Sequence, residues 1–123
     1  MHNRAEIAQL IGFVSRYLRD ELRPELQGRH AFLTLVASNL LDSLARETVL
    51  GEEAACGEQA RLRKLLNAEG SIEELNAELC RRINRGDLNE ASSELMSHLA
   101  TTTLDRLAIE QPGYEAYRRE RGL

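Results

Sequence analysis

Apolar residues recur along this chain at three- and four-residue intervals, and no segment alternates apolar with polar one for one. The first stripe, Ile7, Leu10, Ile11, Val14, Leu18 and Leu22, predicts a helix from about Asn3, a good N-cap, to Arg23, where Pro24 stops it. The second stripe is Leu33, Val36, Ala37, Leu40, Leu41 and Leu44, widened by Phe32, Leu35 and Leu50. It predicts a helix from about Arg29 to Leu50 that ends on Gly51. Its apolar arc exceeds half the circumference, which predicts a central helix with neighbours on several sides. A third helix is expected from about Glu52 to Asn67 on Ala55, Leu62, Leu65 and Leu66, weakened in its first half by Gly57. A fourth opens on the capping box Ser71-Ile72-Glu73-Glu74 and carries the narrow stripe Ile72, Leu75, Leu79 and Ile83. Arg81, Arg82 and Arg85 suit its negative end, and Gly86 closes it. The fifth runs from Asp87 or Leu88 to Glu110 on Leu88, Leu95, Met96, Leu99 and Thr103, extended by Leu104 and Leu107, and Pro112-Gly113 terminates it.

Short connections between five helices imply antiparallel neighbours. The expected fold is therefore all-α, a five-helix antiparallel, up-and-down-like bundle in one domain over residues 1–123, with helices two and five at its centre. Residues 112–123 form a polar, arginine-rich tail that either docks through Tyr114 and Tyr117 or frays. Composition agrees: 21 leucines stand against three valines, five isoleucines and five aromatic residues, a set that favours helix over strand.

Charge and cysteine usage narrow the classes of partner. Sixteen basic and 20 acidic side chains leave a net charge of −4, with no clustered basic face, which argues against nucleic acid. No apolar run reaches the length of a membrane span, and Met1 to Glu6 is not a secretory leader. Cys56 and Cys80 lack a CxxC spacing or a histidine at metal-ligand spacing, and read as free thiols of a cytoplasmic protein.

Catalytic signatures are missing. There is no phosphate-binding glycine loop, no zinc or calcium motif and no nucleophile elbow. Glu94 and His98 stand four apart on one helix, but a metal needs several convergent ligands, so neither metal nor cofactor is expected. What remains is polar residues at apolar positions. Glu47 projects between Val36 and Leu40, and Arg106 projects along the direction of Leu88. Burial demands a partner for each, and mutual pairing is one solution. Asn39 lies beside Phe32 and Ser43, where hydrogen bonding to the backbone of a neighbouring helix would fix register. Arg29 and His30 stand at the start of the second helix, where an anion could bind, though as two residues they read first as solvated caps.

Three segments carry a resemblance: HAFLTLVASNLL (30–41) with RE (46–47), LCRRINRGDL (79–88), and LMSHLATTTLDRLAIEQPGYEAY (95–117). Their order and spacing together resemble a bacterial family of small all-helical proteins known only as a domain of unknown function. The likeness covers most of the chain from residue 29 on. Members of that family are often encoded beside an aminoglycoside-phosphotransferase-like kinase and an acyl-CoA dehydrogenase. The resemblance implies an accessory role in acyl-CoA or related small-acid metabolism, and places Asn39, Glu47, His98, Arg106 and Tyr114 on motif positions. Gln111-Pro112 departs from the family's Asn-Pro and leaves the turn intact.

These readings lead to a non-enzymatic accessory or interaction protein, with a protein partner or a homodimer covering the wide apolar arcs. The alternative is a small-molecule binder or enzyme whose pocket between helices is lined by Asn39, Glu47, His98 and Arg106.

Overall fold

Asn3 starts the first helix as its spacing predicts. In the computed structural model, which describes residues 1–123, its side-chain oxygen accepts from the Glu6 amide at 2.9 Å, and the Glu6 carboxylate accepts from the Asn3 amide at 3.0 Å. This capping box opens α1 (Arg4–Arg16). Beyond Arg16 the helix widens into a π-helical stretch, Tyr17–Leu22, and tightens into a 3₁₀ turn, Arg23–Glu25, that holds Pro24. Gly28, at φ +60°, takes the left-handed conformation that redirects the chain.

From Gly28 the chain forms one helix, α2, as far as Leu66, 39 residues in all. The break expected at Gly51 does not occur. A glycine ends a helix by turning left-handed, and Gly51 is not among the glycines with positive φ. Helix-forming neighbours carry the hydrogen-bond ladder through it, for a propensity loss of only about 1 kcal/mol. The two helices expected here are thus one. The turn after Leu66 uses Asn67 at φ +49° and Gly70 at φ +153°.

Ser71 caps α3 (Ile72–Asn84) by accepting from the Glu74 amide at 3.1 Å. The next helix, α4 (Ser93–Glu110), begins later than Leu88. Asn89 is the reason: its side-chain oxygen accepts from the Ala91 amide at 2.8 Å and its carbonyl from the Ser92 amide at 2.9 Å, a local turn that competes with helix. The tail forms α5 (Glu115–Arg121), with Tyr117 buried and Gly122 left-handed after it. The fold is all-α, five helices and no strand. No helix is long and apolar enough to cross a membrane.

The chain divides into two compact units. One comprises Met1–Glu52 with Ile109–Pro112; the other comprises Glu53–Ala108 with Gly113–Leu123. The second holds the apolar core: Leu62 and Leu66 from α2, Leu75 and Leu79 from α3, and Leu95 from α4. Here α3 returns along α2, with Gln59 donating to the Gly70 carbonyl at 2.9 Å and Asn76 to Glu58 at 3.2 Å.

The first unit is built differently. It is a hairpin of α1 and the leading half of α2, antiparallel by its contacts: Ser15 meets Ser38, Arg19 meets Asp42, and Arg4 pairs with Glu52 at the far end. Its only buried side chains are Ser15 and Ser38. The wide apolar arc of the second expected helix therefore does not lie at a packed centre in this unit: Phe32, Leu33, Val36, Leu40 and Leu44 are all exposed, Leu40 to 61%. The helix contact uses the small, polar side of α2 instead.

Candidate functional site

A polar seam joins the two helices of the first unit. Ser15 and Arg19 are one turn apart on the first helical arm of the hairpin, as Ser38 and Asp42 are on α2, so each pair shares a face. The Ser15 hydroxyl lies 2.5 Å from Asp42 Oδ1 and 3.0 Å from the Ser38 carbonyl. Arg19 donates to Asp42 Oδ2 at 2.5 Å and to Asn39 Oδ1 at 3.3 Å. Partial burial pushes the Asp42 carboxyl up. The hydrogen bonds from Ser15 and Arg19 and the charges of Arg19 and Arg46 outweigh it, so the net shift is downward from 3.8. Asp42 is held as a carboxylate that accepts from both helices. Arg46, one turn on, donates to the Ile109 carbonyl at 2.6 Å near the C-terminal end of α4, where a cation suits the helix dipole.

Large apolar side chains lie on the outer sides of this seam. On the first helical arm they are Leu10, Phe13, Val14 and Tyr17, with Ile7 at the edge. On α2 they form a 3-4 spaced stripe, Leu33, Val36, Leu40 and Leu44, with Phe32 beside it. At 3.6 residues per turn this stripe points away from the side that carries Ser38 and Asp42. Arg29 stands at its beginning and Glu47 at its end. Both are exposed, and the ion pairs of this unit, His2–Glu6, Arg4–Glu52 and Arg19–Asp42, include neither.

The second unit holds a buried histidine. His98 on α4 is 4% exposed, and its Nδ1 accepts from Arg61 Nε at 3.2 Å. Arg61 also donates to the Thr102 hydroxyl at 3.0 Å. Burial lowers the His98 pKa below 6.5, the Arg61 charge lowers it further, and Glu58 opposes both. A neutral ring with its proton on Nε2 meets these demands, because Nδ1 must stay free to accept. A groove of about 400 Å³ lies beside it, lined by Arg61, Lys64, Ser93, Glu94, Ser97 and His98. A second groove of about 440 Å³ is almost wholly apolar, with Met96, Leu99, Leu104 and Leu107 of α4 facing Tyr114 and Tyr117. No three His, Cys, Asp or Glu side chains gather as a metal would require. Cys56 and Cys80 are free and exposed.

Of the residues singled out from sequence, Asn39 and Glu47 belong to the first unit, and His98 and Arg106 to the second. Asn39 is exposed and meets the Arg19 side chain, not a neighbouring backbone. Glu47 and Arg106 are exposed, and neither takes part in an ion pair of its own unit. Burial, which would have required a partner, applies to neither. His98 alone of the four is buried.

A family model described as a domain of unknown function, DUF6285, matches residues 24–114, which takes in α2, α3 and α4 entire. The chain belongs to this family. No curated protein and no solved structure matches it. Within the DUF6285 segment lie Ser38 and Asp42 of the seam, the α2 stripe with Arg29 and Glu47, and the Arg61–His98–Thr102 cluster. Ser15, Arg19 and the apolar stripe of α1 precede it. Sequence reasoning missed Ser15, Arg19, Asp42 and Arg61. A signal existed for the first three, since two polar i, i+4 pairs on consecutive helices mark a polar contact face. Arg61 carried none, because an arginine on a charged helix reads as solvated until the fold places a histidine against it.

Proposed function

We propose that this DUF6285 chain is a non-enzymatic helical accessory protein that acts by binding another protein through its first unit. The supporting observation is the inverted packing of that unit, with serines inside and large apolar side chains outside. Soluble monomers rarely leave a contiguous apolar surface larger than a few hundred Å² uncovered, and larger patches mark interaction sites. Phe13 and Tyr17 supply the aromatic anchors on which protein interfaces concentrate their energy. The family resemblance extends the reading to a bacterial protein that serves acyl-CoA or phosphotransferase metabolism, and the free thiols of Cys56 and Cys80 suit a cytoplasmic one.

The test is recovery of tagged protein from native lysate with mass measurement of the assembly, comparing the wild type with Phe13→Glu. A stoichiometric partner enzyme retained by the wild type and lost by the variant is the expected result. Equal recovery with both, or no partner with either, would reject it.

A second reading, small-molecule binding, is favoured by the apolar groove between α4 and α5 in the second unit, whose size falls within the range of ligand sites. Stabilisation of the protein by fatty acyl compounds, lost in Leu104→Glu, would support it.

A further inference from the structure

The exposed stripe of α2 is close to symmetric about its middle. Arg29, Leu33, Val36, Leu40, Leu44 and Glu47 follow one another at intervals of three and four, the spacing of a helix seam that packs against another helix. The series is nearly symmetric about Ser38. Val36 and Leu40 stand equally far to either side, as do Phe32 and Leu44, and so do Arg29 and Glu47. A second copy of this helix laid antiparallel on the first, with its centre at the same level, would place Val36 against the other copy's Leu40 and Phe32 against its Leu44. It would also bring Arg29 opposite Glu47 twice, once at each end. The geometry points to a second copy of this chain as the partner of this stripe, in an antiparallel α2–α2 pairing about a two-fold axis at the level of Ser38. This deepens the interaction reading and rests on the same uncovered unit.

Three observations favour this occupant over an unrelated one. First, a two-fold interface needs a self-complementary patch, and this patch is apolar at its centre with opposite charges at its two ends. Second, both end charges are exposed and take part in no ion pair of their own unit, although Arg4, Arg19, Glu52 and Asp42 of that unit are paired. Third, the area suffices. Phe32, Leu33, Val36, Leu40 and Leu44 expose on the order of 500 Å² in one copy, taking roughly 200 Å² for each fully exposed side chain. Two copies bring together about 1,000 Å², the size at which specific interfaces begin. Residues 1–52 carry seven acidic and six basic side chains, so the hairpins do not repel each other as wholes.

Charge exchange within one chain tests the register. In sedimentation velocity at micromolar concentration the wild type is expected to be a dimer and Leu40→Glu a monomer. Glu47→Arg should weaken the dimer about tenfold or more, since two pairs each turn from attraction to repulsion. Arg29→Glu should do the same. The double variant Arg29→Glu with Glu47→Arg restores opposite charges at both ends and should recover the wild-type affinity. Circular dichroism keeps the comparison to variants with intact helix. A monomeric wild type overturns the proposal, as does a dimer that survives Leu40→Glu. A dimer lost in both single charge variants and not recovered in the double overturns the antiparallel register. A monomeric wild type that retains a protein through Leu40, or binds anionic lipid vesicles through it, assigns the face to that occupant and also overturns the second copy. The partner enzyme of the broader reading is tested separately, at Phe13 on α1.

Discussion

Ser15 and Arg19 both donate to Asp42, one from a buried hydroxyl and one as a full ion pair, and the structure decides which matters more. Arg19 and Asp42 side chains are 31% and 32% exposed, so their attraction acts through water-like screening and is worth about 0.5 kcal/mol. The Ser15 hydroxyl is fully buried and donates to a charged oxygen at 2.5 Å. Hydrogen bonds of that kind contribute about 1.5–3 kcal/mol, and the lower end applies because Asp42 can recover some water. A double-mutant cycle separates the two: Ser15→Ala, Arg19→Met and Asp42→Ala, with the two doubles, each measured by urea unfolding followed by circular dichroism. The cycle cancels the helix-propensity gain of alanine, which would otherwise mask part of the Ser15→Ala loss. The expected coupling is about 1.5 kcal/mol for Ser15–Asp42 and about 0.5 kcal/mol for Arg19–Asp42. Raising the salt should shrink the second and leave the first. If the arginine pair couples more strongly than the serine pair, or the serine coupling falls with salt, the assignment of the seam to buried hydrogen bonding is wrong.

Three further outcomes follow from burial and backbone. Leu62→Ala removes a fully buried side chain from the core of the second unit and should cost about 3 kcal/mol in chemical unfolding, whereas Ile83→Ala, 39% exposed, should cost less than half as much. The His98 pKa is lowered in the folded state, so the unfolded chain takes up that proton first, and stability should fall as pH drops below about 6.5. Asp42, shifted down from 3.8, adds its loss only below that value; thermal scans from neutral to mildly acidic pH should show the first loss in the wild type and a flatter profile in His98→Gln. Gly51→Ala should stabilise by about 0.5–1 kcal/mol, because a Cβ there meets only Glu47 Cγ at 3.2 Å and that exposed side chain can move. Gly57→Ala should gain less or lose, since its Cβ meets Arg61 Nη1 at 3.2 Å and Arg61 is held by His98 and Thr102; equal melting shifts for the two variants would contradict a pinned Arg61.

Particular residues show where sequence reading succeeds. Asn3 and Ser71 cap helices because a short side-chain oxygen at that position reaches an amide within its own first turn. Leu75 and Leu79 are buried as their spacing predicts, and α4 ends at Glu110 ahead of Pro112-Gly113. Gly51 shows the limit of a local rule: glycine permits a helix to end, but the neighbouring chain determines whether it does. His98 was singled out without its partner, because the Arg61 that accounts for its burial lies on another helix.

Local sequence is enough to specify that the chain is helical, where most helix ends fall, and that the helices before residue 111 carry apolar stripes. All of these depend on residues within a few positions of one another. Tertiary structure alone decided which stripes are covered. In the second unit the leucines of α2, α3 and α4 close over each other. In the first unit α1 meets α2 through Ser15, Ser38 and Asp42, and the apolar side of α2 stays open. Periodicity fixes that a helix has an apolar face, since side-chain direction repeats with the backbone. What covers that face depends on shape and charge elsewhere in the chain, or on another molecule.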